Sequence, residues 1–166
     1  KETERTQQSC GYKMKTIALT AAAVCAGGEF ARRRMESLPP ENLPREYYCG
    51  RVKLERVYNP GMLYGAGSEK KRLLRWLPAL LLGGILAVVF SLRGRLHPWE
   101  KVGAGLLLGG GLSNYFERMR FGRVLDYLNL PKAPGKQLRQ TVFNLADVAI
   151  VLGTVLFLPR ALRTGR

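Results

Sequence analysis

The chain has 166 residues, enough for one domain, and carries 27 Lys and Arg against 12 Asp and Glu, a net charge of +15. Such a surplus suits either nucleic acid or an anionic lipid surface. There is no helix-turn-helix signature, zinc-ligand spacing or aromatic RNA-binding box, and the long apolar runs have no place in a small DNA-binding domain, so nucleic acid is excluded and membrane lipid is the expected partner. The mean hydropathy of -0.09 averages apolar blocks with charged stretches between them. Cys10, Cys25 and Cys49 are three and scattered, which excludes a disulfide framework and a cysteine metal site. Cys25, in an apolar run, reads as a packing residue. His97 is the sole histidine, and beside Pro98 it reads as a solvated loop residue. A Ser-His-Asp triad and a histidine zinc site are therefore excluded, and neither metal nor cofactor is expected.

In chain order, residues 1–13 are polar and aperiodic and read as a disordered tail, with Met14 a plausible initiator. Residues 16–31 form a first span, preceded by Lys13 and Lys15. A signal peptide is the rival reading, but Val24 before Cys25 is too large for lipid attachment. Glu29 and Arg33 lie four apart and share a helix face; a solvated helix end is expected there. Pro39, Pro40 and Pro44 interrupt any helix in the polar stretch that follows. Tyr47 to Tyr58 carries β-formers in partial alternation and predicts a short hairpin or small sheet. The turn Asn59-Pro60-Gly61 follows, with Gly65 and Gly67 beyond.

Residues 73–92 hold one charge, Arg75, and predict the clearest transmembrane helix, with Trp76 as an interfacial anchor. Gly83 and Gly84 would let a neighbour approach. A basic loop leads to the third span, 99–115. Its Gly105 and Gly109 are one turn apart and favour close helix contact. No strand precedes these glycines and no Lys-Ser/Thr pair follows, so a nucleotide loop is excluded. Residues 131–140 read as a basic loop, residues 141–158 as a fourth span, and a basic tail closes the chain. The expected fold is mainly α: a polytopic four-helix transmembrane bundle with a small β element on the outer membrane face, in one domain over 14–166. Lys and Arg are more numerous in the first and third loops than in the tails and the middle loop, so charge alone puts the termini outside.

Asp126 and Asp147 are the only aspartates. One lies just beyond the third span and the other just inside the fourth, so two helices meeting at one membrane face bring both to one depth. Carboxylates near a bilayer are costly and are functional or paired. Two that approach closely share a proton and titrate as a unit. Such a dyad can hold a water, take its proton as it attacks an amide carbonyl, and protonate the leaving nitrogen. The plainer reading is two aspartates that cap helices or pair with arginine. Asn144 lies three before Asp147 and shares its helix face.

The blocks Asn59-Pro60-Gly61, Asn114-x-x-Glu117-Arg118, Gly122, Val124-x-Asp126-Tyr127 and Phe143-Asn144-x-Ala146-Asp147 resemble those of the lipoprotein signal peptidases (signal peptidase II), bacterial membrane aspartyl proteases. The resemblance covers nearly the whole chain from Met14. It implies that Asp126 and Asp147 are the catalytic pair. It further implies that Asn59, Gly61, Asn114, Arg118 and Asn144 bind substrate or line the site. The substrate implied is a diacylglyceryl-modified prolipoprotein, cut before the lipidated cysteine. The location implied is the cytoplasmic (inner) membrane, with the active site toward the outer face and both termini cytoplasmic, against the charge count. A monomer is expected. Three positions depart from the family pattern: Glu117 stands where Asp is usual, and Glu29 and Arg33 stand where Asp and Lys are usual. Arg for Lys is not neutral at a tight site. Two other functions remain open: a diverged, non-catalytic homologue with a lipid-binding or assembly role, and a small transporter subunit using the carboxylates as a proton site.

Overall fold

The computed structural model describes the backbone of residues 2–60, 68–92 and 95–164, and the side chains of residues 14–60, 76, 78–92 and 95–157. Gly61, Gly65 and Gly67 fall outside them.

The first helix, α1 (Glu2–Ser37), runs through the stretch expected as a disordered tail; residues 2–13 contain Glu, Arg, Gln and Lys and no proline, a composition that favours helix. It stops before Pro39 and Pro40, which open a short 3-10 turn, Pro40–Asn42. The expected hairpin follows as β1 (Arg45–Tyr47) and β2 (Val52–Asn59). Its turn passes through positive φ at Tyr48, Cys49 and Gly50. Next come α2 (Ser68–Leu92), with Pro78 inside it, and α3 (Pro98–Phe121). Pro98 occupies the first helical position of α3, and the His97 N–H donates to the Glu100 carboxylate at 2.7 Å. His97 is exposed, as expected, and stacks on Trp99. At the other end Gly122 adopts φ 71° and donates its N–H to the Arg118 carbonyl at 2.9 Å, a left-handed cap that glycine adopts without strain.

The segment after α3 is not a plain loop. It contains β3 (Val124–Asn129), α4 (Lys136–Gln140) and β4 (Val142–Phe143), before α5 (Leu145–Thr164). The four strands form one antiparallel sheet in the order β1-β2-β3-β4. Asn59 pairs with Val124, Val57 with Asp126 and Leu128 with Phe143, and the β2–β3 register slips between Leu54 and Val57. Val124 and Leu125 are fully buried, each contributing roughly 1.5–3 kcal/mol of apolar burial that fixes β3 in place.

α3 is the central helix and packs against α1, α5 and α2. Glycines permit the close approach. A Cβ on Gly105 or Gly109 would lie within 3 Å of Ile17, Thr20 or Ala21 of α1, so the contact expected at these two residues is present. A Cβ on Gly110 would sit 2.5 Å from the Ala146 carbonyl oxygen of α5. The apolar core, including Ile17, Val89, Leu92, Ala104, Leu108 and Phe157, joins α1, α2, α3 and α5.

The protein is thus mainly helical with a small antiparallel sheet. Among the described residues no helix is long and apolar enough to cross a membrane. The expected spans 73–92 and 141–158 run partly over side chains outside that set.

Candidate active site

Asp126 lies in β3 and is 4% exposed. Its two oxygens are held by asparagine amides. Asn59, the last residue of β2, donates from Nδ2 to Oδ2 at 3.0 Å, and Asn144 donates from Nδ2 to Oδ1 at 2.9 Å. Burial pushes the Asp126 carboxyl up from its ordinary range. The Asn59 and Asn144 hydrogen bonds oppose this, the Asp147 charge adds to it, and the Arg118 charge opposes it.

Asp147 stands in the first turn of α5, placed there by the sequence Asn144-x-x-Asp147. The Asp147 N–H donates to Asn144 Oδ1 at 2.9 Å, and the Asn144 N–H donates to Asp147 Oδ2 at 3.1 Å. These reciprocal bonds satisfy two backbone donors at the helix start, in the manner of a capping box. Asn114 of α3 donates to Asp147 Oδ1 at 2.8 Å and accepts from Asn144 Nδ2 at 3.1 Å. Asn144 therefore uses both ends of its side chain: its oxygen caps α5, and its amide donates to both Asp126 and Asn114. Asn114 is 7% and Asn144 5% exposed, so water does not compete for these bonds. The plainer reading of Asp147 as a helix-capping residue is correct as far as it goes. The charge of the same residue also acts on the second aspartate, Asp126.

Five of the expected site residues, Asn59, Asn114, Asp126, Asn144 and Asp147, thus form one network. Arg118 is within electrostatic reach of Asp126, and its Nε is buried with no hydrogen-bond partner among the described residues. Gly61 lies outside the described residues. Glu29 and Arg33 pair at 2.6 Å on the face of α1, where a solvated helix end was expected, and Arg33 is exposed.

Two contributors carried no assigned role in the sequence. Tyr127 accepts the Leu145 N–H on its hydroxyl at 3.0 Å, tying β3 to the start of α5. Glu117 accepts the Leu125 N–H on Oε1 at 2.6 Å, tying α3 to β3 beside Asp126. Both stand inside motif blocks, which is the signal that marks them. Among the described residues no three His, Cys, Asp or Glu gather into a metal-binding group.

Comparison with known proteins places the chain in a family. The family described as Signal peptidase (SPase) II matches residues 15–163. A lipoprotein signal peptidase of Pelotomaculum thermopropionicum is 36% identical over 121 residues, covering 73% of this chain and 70% of that one. One of Synechococcus sp. (strain RCC307) is 31% identical over 149 residues, covering 89% and 94%. In structure the chain is similar to a bacterial membrane enzyme solved at 1.9 Å. The TM-score is 0.74 at 19% identity, over 89% of this chain and 93% of that one, a likeness of fold. On the extent of the family match and the identity to these relatives, the chain belongs to the signal peptidase II family.

Proposed function

We propose that the protein is a membrane aspartic endopeptidase that removes signal peptides from lipid-modified prolipoproteins, with Asp126 and Asp147 as the catalytic pair. The observation that carries this reading is the buried amide network joining the two carboxylates through Asn114 and Asn144. In the mechanism, Asp147 takes a proton from water as the water oxygen attacks the scissile carbonyl carbon. The tetrahedral intermediate collapses, the C–N bond breaks, and a proton from Asp126 goes to the leaving nitrogen. Burial favours the protonated form of Asp126, which suits the donor role. Arg118, whose buried Nε has no hydrogen-bond partner among the described residues, binds the substrate backbone or the developing oxyanion.

The substrate arrives anchored by its own acyl chains, and the protein crosses the bilayer four times to meet it. Large apolar side chains support that location. Leu19 and Phe30 on α1, Leu80, Leu86 and Phe90 on α2, and Val151 and Val155 on α5 are exposed, a load of outward apolar surface that water disfavours and lipid does not. In this arrangement the sheet lies on the outer face, both termini are cytoplasmic, and the enzyme works as a monomer.

The deciding experiment is cleavage of a lipidated prolipoprotein peptide by the purified protein in detergent, with Asp126→Asn and Asp147→Asn beside the wild type. Cleavage by the wild type alone is expected. Cleavage retained by folded variants, or absent from a folded wild type, would refute the reading.

A further inference from the structure

We propose that Arg32 is a positioning residue for the Asp126 carboxylate, acting through Glu117 and the Leu125 backbone. The proposal rests on the catalytic reading of Asp126 given above.

Arg32 is 7% exposed, unusual for arginine unless its charge is matched. Its Nε and Nη2 fork onto the two oxygens of Glu29 at 2.8 and 2.9 Å, and Nη1 donates to Glu36 at 2.6 Å. These three bonds lie within α1 and hold the guanidinium in one orientation. In that orientation its central carbon lies over the ring of Phe121, 4.5 Å from the centroid. Phe121 is the last residue of α3, so Arg32 clamps α1 to the point where α3 gives way to the Gly122 cap and β3.

Glu117 stands four residues before Phe121, on the same face of α3. Its carboxylate is acted on by the Arg32 charge and accepts the Leu125 N–H at 2.6 Å. Leu125 immediately precedes Asp126. Burial pushes the Glu117 carboxyl up from its ordinary range, and the Leu125 hydrogen bond and the Arg32 charge oppose that shift, so Arg32 supports the acceptor that sets the height of β3 against α3. The adjacent Arg33 also pairs with Glu29 but is exposed, whereas Arg32 is buried and lies over Phe121 of α3, so the positioning role falls on Arg32.

The test is a double-mutant cycle on the full chain in detergent, using Arg32→Gln, Glu117→Gln and the pair, with kcat and KM read for a lipidated prolipoprotein peptide. Arg32→Gln should lower kcat by about tenfold, the scale of coupling between neighbouring charged groups, and leave KM within about twofold. In the Glu117→Gln background the same change should have little effect. Independent, multiplicative losses, or an unchanged kcat in Arg32→Gln, would overturn the proposal. Arg32→Lys, which keeps the charge but cannot form the fork, serves in the same cycle should the Gln variant fold poorly. Hydrogen exchange at the Leu125 amide gives a readout apart from activity. It should quicken in Arg32→Gln while the Asn129 amide is unchanged, and an unaltered Leu125 amide would overturn the proposal. Failure of wild-type cleavage would count against the peptidase reading, and the Leu125 exchange would still decide the role of Arg32.

Discussion

Asn144 is the residue whose removal should do most damage for its size, because three hydrogen bonds end on its side chain. In Asn144→Ala the α5 cap is lost, at about 1 kcal/mol. Asp126 loses a buried donor to a carboxylate, at about 2 kcal/mol, and the Asn114 oxygen is left unsatisfied, at about 1 kcal/mol. The expected destabilisation is about 4 kcal/mol at most, since bonds sharing one residue are not independent. Activity should fall further than stability. The amide holds the Asp126 carboxylate directly and the Asp147 carboxylate only through Asn114, and a displacement near 1 Å costs about a hundredfold in rate. Asn144→Ser separates the two roles. Serine is also a good cap and should recover about 1 kcal/mol, but its hydroxyl cannot donate to Asp126 and Asn114 together, so kcat should stay low. The assay is denaturation in detergent alongside peptide cleavage at saturating substrate. A folded Asn144→Ala with a near-normal kcat would refute the bridging argument, as would full recovery of rate in Asn144→Ser.

Asp126→Asn and Asp147→Asn should each lower cleavage by at least about a thousandfold, the scale of removing a general acid or base, with the fold retained by circular dichroism. Because the Asp126 carboxyl is raised in the folded protein, its linkage favours folding fully below the unfolded value near 4. That contribution is lost as pH rises through the folded value. Stability measured against pH should therefore decline more in the wild type than in Asp126→Asn as pH rises from about 4, and parallel profiles would contradict it. Gly110→Ala should cost about 1–3 kcal/mol and depress kcat, because its Cβ meets the backbone oxygen of Ala146 at 2.5 Å, next to Asp147. Gly111→Ala meets only the Leu82 side chain and should be milder by thermal denaturation and cleavage. Cys49 is exposed beside the hairpin turn; in a Cys10→Ser, Cys25→Ser background it should react with a membrane-impermeant maleimide added to whole cells, and protection until lysis would reverse the proposed orientation.

The helices were legible because their signals are local: apolar blocks bounded by prolines, glycines and charge. β3 was not, since Val124 to Asn129 is a six-residue stretch whose strand character comes from pairing with β2, far away in the chain. With β3 hidden, the Asn59 bond to Asp126 was hidden too, although Asn59 itself stood out in its motif. The Asn144–Asp147 pair was readable because its geometry is set within one helical turn. Arg32 shows the opposite case. Glu29 offers partners at Arg32 and Arg33, and spacing alone chose Arg33. Which one points inward depends on the rotation of α1 against α3, and that is fixed by Gly105 and Gly109 resting on Thr20 and Ala21, contacts no local pattern encodes.

The site is inseparable from the start of α5. Asn144 begins the helix and bridges the carboxylates with the same side chain, and Asp147 completes the cap with the oxygen opposite the one that Asn114 holds. A helix start is normally prone to fraying, since its first N–H groups lack intrahelical partners. Here the Leu145 N–H is met by the Tyr127 hydroxyl, the Asp147 N–H by the Asn144 side chain, and the Asn144 N–H before them by Asp147, so the first turn that carries Asp147 is tied down by the site itself. Fraying of α5 and loss of the dyad are therefore one event. The close approach of Gly110 to Ala146 opposes that event from the α3 side. The glycines of α3 accordingly support the site without lining it: Gly103 and Gly110 permit the distance between α3 and α5 at which Asn114 can hold Asp147.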